Sequence, residues 1–266
     1  MTAPKVAALL TDFGISDHYV GSMKAALIKA APDARLIDLT HSIPPQDVRT
    51  GAFQLRVSYR SHPAGTLFLC VVDPGVGSER RLLYAEAGAW KFIAPDNGLL
   101  SWTFEETPPS LLIDISRSAG DAHVSRTFHG RDILAPAAGR LLNGEPPTGL
   151  GPVVTDYERL PFPPVEKVGG LWRGQILAID AYGNLITNLK ADELAPLAKR
   201  SKVWFDLATH EGAVRGLSAS YASVDEGRLL AIEGGSGFIE IAVRNGSAAR
   251  TTGLKTGDAV VANFRT

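Results

Sequence analysis

A single cysteine, Cys70, among 266 residues leaves no intrachain disulfide to form, and the cytoplasm is the compartment expected of such a chain. Cys70 stands inside the apolar run Thr66–Val72, where a small core residue is expected rather than a reactive thiol. Charge does not accumulate in either sign: the formal net charge is −1 and no run of five or more like charges occurs. A general polyanion binder needs a basic surface, so nucleic acid is not an expected partner. No apolar stretch approaches the roughly 20 residues that span a bilayer. The start, Met1-Thr-Ala-Pro-Lys5, leads straight into a strand pattern rather than a leader peptide, so no membrane association is expected. Internal repeats and low-complexity tracts are missing. So are Gly-x-Gly-x-x-Gly at the first strand–helix turn and Gly-x-x-x-x-Gly-Lys-Ser/Thr anywhere, which removes the main support for dinucleotide and phosphate-loop readings.

What is present is a chain 45% apolar and 21% charged, ordinary for a soluble globular protein with a sizeable core. Val6–Asp12 reads as a buried strand, and Asp17–Ala31 as a helix with Val20, Met23, Ala26, Leu27 and Ala30 on one side. Strands over 35–39, 66–72, 82–85, 91–94 and 111–115 alternate with helices over 48–59, 99–104 and 132–142. That alternation predicts a layered α/β domain with a mostly parallel sheet. Near residue 145 the character changes. Gly144-Glu-Pro-Pro-Thr148 and Leu160-Pro-Phe-Pro-Pro-Val165 are proline-rich. Short strand-like runs with glycine turns follow over 174–179, 185–189, 202–205, 228–232, 238–243 and 259–262, the pattern of a small β-barrel or sandwich. The expected organisation is an α/β domain over 1–150, a proline-rich linker over 151–167 and a β-barrel domain over 168–266.

Two loops concentrate chemistry. Asp73-Pro-Gly-Val-Gly-Ser-Glu-Arg80 follows the third strand, and Phe128-His-Gly-Arg-Asp132 precedes a helix. Taken alone, the first is a tight turn and His129 a structural imidazole. Together they place an acid, a fixed cation and a tunable base at strand-to-helix loops, where open α/β sheets build sites. An Arg beside Asp73 keeps that carboxylate ionised and oriented. Asp12 and Phe13 close the first strand. A carboxylate there commonly faces a ligand hydroxyl, whereas Asp17 is equally well explained as a helix cap. Gly130 lets a ligand approach the backbone. Ala94-Pro-Asp-Asn-Gly98 is a turn with capping by Asp96 or Asn97, and Arg131-Asp132 is an ion pair or a cap.

In the second half, Asp180, Tyr182 and Asn184 interrupt two apolar runs. Gly183-Asn184 suits a hairpin turn, which does not require Asp180. An acid and an amide there suit a zwitterion's ammonium and carboxylate. The small-residue stretches Gly234-Gly-Ser236-Gly and Arg244-Asn245-Gly-Ser-Ala248-Ala, with Glu240, suit a flat ring lying against backbone, and Tyr221 suits stacking on it.

Six ordered motifs, Thr11-Asp-Phe-Gly, Asp73-Pro-Gly-Val-Gly-Ser-Glu-Arg, Ala94-Pro-Asp-Asn-Gly-Leu-Leu, Phe128-His-Gly-Arg-Asp, Asp180-Ala-Tyr-Gly-Asn and Ser247-Ala-Ala, resemble the S-adenosyl-L-methionine hydroxide adenosyltransferases, water-using relatives of fluorinase and chlorinase. The resemblance covers essentially the whole chain. It implies that water displaces methionine from C5′ of S-adenosylmethionine, with no cofactor and no metal. It implies that Asp73, Arg80 and His129 hold the water and Asp12 the ribose hydroxyls. Asp180 and Asn184, with Ser236 nearby, correspond to the methionine side, and Tyr221 and Asn245–Ala248 to the adenine side. The family pattern is a homotrimer with each site between one subunit's α/β domain and a neighbour's β domain. Departures from fluorinase fall at the nucleophile: it has a tyrosine where Asp73 stands and a Tyr-Ser pair where His129-Gly130 stands. It also carries an extra segment after the third strand, and its tryptophan near the ribose corresponds to Gln46. Chlorinase shares the glycine and lacks the Asp-Arg-His set.

Two other readings of the residues stand beside this one. A metal-dependent hydrolase would use Asp12, Asp17, Asp96 and His129, although no compact ligand motif supports it. A non-catalytic S-adenosylmethionine or nucleoside binder would keep Asp12 and Asp180 but has no need of Asp73 with Arg80 and His129.

Overall fold

Side chains in the first strands alternate between two hydrophobic cores, and this alternation sets the layering. In the computed structural model, which describes residues 5–120, 123–208 and 213–265, Ala7 and Leu9 enter one core while Ala8 and Leu10 enter the other. A strand with both faces apolar is one covered by helices on both sides. The elements of the first unit are β1 (Val6–Thr11), α1 (Tyr19–Ala30), β2 (Arg35–Thr40), α2 (Val48–Ser58), β3 (Leu67–Val71), β4 (Leu82–Ala87), β5 (Trp90–Pro95), α3 (Ser101–Glu106), β6 (Pro109–Asp114) and α4 (Ala135–Leu142).

The sheet order is β2-β1-β3-β5-β4-β6. β2, β1, β3 and β5 run parallel, and β4 pairs antiparallel with both β5 and β6. Met23 and Leu27 of α1 and Ala137, Ala138 and Leu141 of α4 cover one face. Leu55 of α2 and Phe104 of α3, with Leu99 and Leu100, cover the other. Cys70 lies in the second core, fully buried, as its apolar setting predicts. The order of connection, not the strand direction, reverses at β1/β3: β1 leads to β2 on one side, and β3 leads away on the other. Such a switch point leaves a crevice beyond the carboxyl ends of the strands.

The chain divides between Pro161 and Phe162. Residues 151–160 of the proline-rich segment run along the first unit. Asp114 N–H donates to Pro152 O, Val154 N–H to Leu112 O, Glu158 N–H to Asp96 Oδ1 and Trp102 Nε1 to Leu160 O.

The second unit comprises β7 (Glu166–Val168), β8 (Leu171–Ile179), β9 (Leu185–Lys190), α5 (Ala191–Ala198), β10 (Lys202–Leu207), β11 (Val214–Arg215), β12 (Leu229–Glu233), β13 (Phe238–Val243), α6 (Ala248–Thr252) and β14 (Ala259–Arg265). Its antiparallel order is β11-β10-β14-β8-β9-β13-β12, with β7 on β8. The long strand β8 pairs with β14 through its first half and with β9 through its second. A bridge between Ser218 and Ile232 brings the two ends of the sheet together, so the sheet is a nearly closed barrel around Ile176, Leu189, Phe205 and Ile241. The two short helices were not part of the sequence reading, which has only strands here.

Candidate active site

The residues that follow β1 and β3 and those that enter the helix before α4 meet at the crevice end of the sheet. After β3 the chain makes successive turns, with Val76 N–H donating to Asp73 O and Ser78 N–H to Gly75 O. Ser78 Oγ in turn accepts from Arg80 N–H. Gly77 has φ +82°, and a Cβ there would stand 2.5 Å from Arg126 O. Only glycine meets both conditions, and this close approach locks the Asp73–Arg80 loop onto the segment leading to His129.

These turns fold Arg80 back onto Asp73. Arg80 Nε donates to Asp73 Oδ1 at 2.6 Å, and Nη2 donates to Oδ2. This is the forked geometry that fixes both planes. The two side chains are only 9% and 6% exposed. The same Nη2 lies 3.2 Å from His129 Nδ1. A guanidinium can only donate, so Nδ1 is the acceptor and the neutral ring carries its proton on Nε2. Burial, then the charge of Arg80, holds the His129 pKa below its usual 6.5, against the charges of Asp73 and Asp132. The imidazole is therefore neutral near pH 7. It offers one N–H to a ligand, while the Asp73 oxygens offer their remaining lone pairs. A donor and an acceptor held by one guanidinium are the requirements for gripping a single water molecule.

His129 sits at the entrance to a π-helical turn, Gly130–Leu134, which passes directly into α4. A wide turn of this kind frequently marks a functional position. The sequence reading places an ordinary helix there, from Asp132. A Cβ on Gly130 would make ordinary contacts with Phe13, Val71 and Met23, so what the glycine leaves is room on that side. Arg131 and Asp132 pair with each other, and Asp132 also accepts from Ser125 N–H at 2.9 Å.

Asp12 follows β1 and its Oδ2 accepts Gln46 N–H at 2.8 Å. Gln46 itself adopts φ +67°, a conformation a non-glycine residue holds only where surrounding contacts fix it. Burial raises the Asp12 pKa against that hydrogen bond, and the Asp73 charge adds in the same sense. Phe13 joins an aromatic group, with its ring centroid 5.7 Å from Phe128 and 5.9 Å from Tyr19. Asp17 is exposed and does not cap α1: His18 holds the N-cap position, without a side-chain cap hydrogen bond. Asp96 pairs with Arg81 instead of capping α3. Asn97 donates to Val72 O at 2.8 Å and so steadies the residue before Asp73. Asn97 and the backbone of Arg126 were missed as contributors, and of these only Asn97 carried a signal, its place in a turn motif. Gln46 was marked only as the counterpart of fluorinase's tryptophan; its backbone bond to Asp12 was not foreseen. Among the described residues no three His, Cys, Asp or Glu side chains lie close enough to hold a metal ion.

In the second unit Asp180 is part of the β8–β9 turn rather than beside it. Its Oδ1 accepts from Tyr182 and Asn184 N–H, each at 2.9 Å, and Oδ2 accepts Asn184 Nδ2 at 2.9 Å. The expectation that the turn does not need Asp180 is thus corrected: these bonds satisfy the turn's orphan N–H groups. Gly183, at φ +83°, lies where a Cβ would strike Ser247 Oγ, and its carbonyl accepts Ala249 N–H. The turn is thereby fastened to the start of α6, where Ala248 is buried. Glu240 is buried and accepts Tyr221 Oη–H at 3.1 Å. Burial raises its pKa, the Tyr221 bond opposes, and the Asp180 charge adds to the rise. Ser236 Oγ is buried with no hydrogen-bond partner. Tyr182 is exposed, and Asn245, also exposed, donates to Glu226 at 2.7 Å. Asp180, Asn184, Tyr221 and Glu240 therefore gather, while Asn245 turns to a surface acid.

Comparison with known proteins gives the family. Residues 7–151 match the SAM hydroxide adenosyltransferase N-terminal domain and residues 174–261 its C-terminal domain. An (R)-S-adenosyl-L-methionine hydrolase of Thermus thermophilus is 39% identical over 256 residues, covering 93% of this chain and 95% of that protein. A fluorinase of an Actinoplanes species is 28% identical over 217 residues, 71% of this chain and 73% of that protein. The crystal structure of an uncharacterized conserved protein from Thermotoga maritima superposes with a TM-score of 0.90 at 32% identity, covering 97% of this chain and 99% of that one. With both halves matched in order, and with the acid, guanidinium and imidazole converging after β3 and before α4, this chain belongs to the SAM hydroxide adenosyltransferase family.

Proposed function

We propose that the protein hydrolyses S-adenosyl-L-methionine to adenosine and L-methionine. The observation that carries this is the Asp73–Arg80–His129 cluster, in which one guanidinium orients both a hydrogen-bond acceptor and a hydrogen-bond donor. Water held there donates to Asp73 and accepts from His129 Nε2–H. Its oxygen attacks C5′ of the substrate, and the C5′–S bond breaks with its electron pair staying on sulfur. Methionine leaves as a neutral thioether, so no acid is needed to protonate it. The surplus proton of the water passes to the Asp73 carboxylate and then to solvent. Positioning and preorganised electrostatics each contribute several kcal/mol to such a step.

The remaining assignments belong to the same proposal. Asp12 takes the ribose hydroxyls, with Phe13 against the sugar. Asp180 and Asn184 take the methionine end, the buried Glu240 adds negative charge near its ammonium, and Tyr221, anchored through Oη, lies against the adenine. The protein works as a cytoplasmic homotrimer whose neighbouring subunits complete each other's sites. The exposed Ile15 and Tyr182, each within a few residues of candidate site groups, fit such contacts. Light scattering tests the assembly against three times 28.3 kDa.

The reaction is tested by incubating purified protein with S-adenosylmethionine in H₂¹⁸O. One ¹⁸O is expected in the 5′-hydroxyl of adenosine and none in methionine. Failure to form adenosine, or label appearing in methionine, would overturn the reading.

A further inference from the structure

The loop after β2 grips the loop after β1 at several points, and the grip runs through a buried histidine. His41 is 5% exposed at its side chain. Its Nδ1 lies 2.8 Å from Thr11 Oγ1. Thr11 Oγ1 in turn accepts Phe13 N–H at 3.3 Å. The His41 carbonyl accepts Gly14 N–H at 2.8 Å, and Ile43 N–H reaches Thr11 O at 3.4 Å. Five residues beyond His41, Gln46 N–H meets the Asp12 carboxylate. Both sides of Asp12 are thus tied to one segment, 41–46.

Behind His41 stands a charge pair. Nε2 is buried 3.1 Å from Asp38 Oδ1 without completing a hydrogen bond to it, and Lys24 Nζ donates to Asp38 Oδ2 at 2.7 Å. Among the described residues, these two are the charged groups paired at this end of the chain of contacts. With a carboxylate facing Nε2, the neutral ring keeps its proton there. Nδ1 then accepts the Thr11 hydroxyl proton, which leaves a Thr11 lone pair for Phe13 N–H. The order carboxylate, imidazole, hydroxyl is that of a nucleophile relay. Thr11, however, is fully buried and its hydroxyl is engaged on both sides. No substrate atom can reach it, so the arrangement serves orientation.

We infer that His41 is a positioning residue: by holding Thr11, it sets the turn that aims the Asp12 carboxylate at the ribose diol. This rests on the proposed role of Asp12 in S-adenosylmethionine hydrolysis. It assigns a function to His41, Thr11 and Asp38, none of which touches substrate.

The test uses the full chain and two nucleosides that need no turnover, adenosine and 2′,3′-dideoxyadenosine, with affinities measured by calorimetry. A carboxylate hydrogen-bonded to the diol favours adenosine in the native protein by about tenfold or more. His41→Leu and Thr11→Val are expected to bring that ratio within about threefold. His41→Asn, whose amide oxygen can replace Nδ1, restores most of it. Asp12→Ala sets the ratio near one, and adding His41→Leu to it changes the ratio no further. A native ratio retained in both His41→Leu and Thr11→Val overturns the inference. So does an equal loss of affinity for both nucleosides, which marks a general structural role. If His41→Leu does not fold, Thr11→Val decides alone. A native protein that turns over S-adenosylmethionine but does not distinguish the nucleosides refutes the Asp12 assignment and this inference together, while leaving the hydrolysis intact.

Discussion

The two units present their polar groups in opposite states. In the first, Asp73, Arg80 and His129 satisfy one another, with Asp73 and Arg80 nearly closed to solvent and His129 half-buried. In the second, Glu240 is buried beside the charge of Asp180, and among the described residues neither acid is paired with a cation. The first arrangement is complete in charge and suits a small neutral partner such as water. The second is short of positive charge and suits a ligand that brings it. The two folds thus differ in electrostatic character.

The sharpest way to break that comparison is to cut the first cluster. Arg80→Ala removes the group that orients both partners. It is expected to lower kcat by about a thousandfold, in line with loss of a preorganised electrostatic group, with little change in substrate affinity by calorimetry. If affinity and kcat fell equally, Arg80 would be a binding residue and the contrast would vanish. Asp180→Ala should behave the other way, raising KM by about ten- to a hundredfold with kcat changed less. The result is read from steady-state adenosine formation.

Acidity sharpens the comparison further. Protonating His129 would put an N–H on Nδ1 facing the Arg80 donor, so kcat falls as pH drops. Because burial and Arg80 lower the imidazole pKa, the midpoint of that fall is expected below the ordinary 6.5 and no decline from this group occurs above it. A kcat profile with its acid midpoint above that value would contradict the neutral, donor-facing ring. A smaller effect is expected from Gly77→Ala. It forces a side chain into a left-handed position and against Arg126 O, at about 1–3 kcal/mol. Thermal unfolding should shift down by several degrees, and turnover should fall because the Asp73 loop loses its anchor. The smallest effect concerns Cys70. Burial pushes its thiol well above the usual range, so alkylating reagents should leave the native protein unlabelled by mass spectrometry and its rate unchanged.

Much of this was legible in residue order. Continuous apolar runs located the central strands because both sheet faces are covered, and the loop acids declared themselves by standing where strands end. Three features were not legible, for physical reasons. The wide turn at Gly130–Leu134 has no residue type that demands it; packing sets it. The helix α5 contains Pro196, which by propensity argues against a helix, yet Leu194 and Ala195 bury against the barrel. Residues 151–160 look like linker because they belong to a proline-rich segment, but their backbone groups find partners on the first unit. The Gln46 contact and His41 escaped notice because one is made by a backbone N–H and the other reaches the loop through a neighbour's hydroxyl.

The π-helical turn has a consequence for how this chain can change. It holds one residue more than an α-helical turn closing over the same span. Deleting a single residue between Gly130 and Leu134 would let the segment wind regularly into α4 without breaking the fold. The imidazole would then swing about 100° around the helix axis, away from the guanidinium. Loss of one codon in this stretch should therefore yield a well-folded but silent protein.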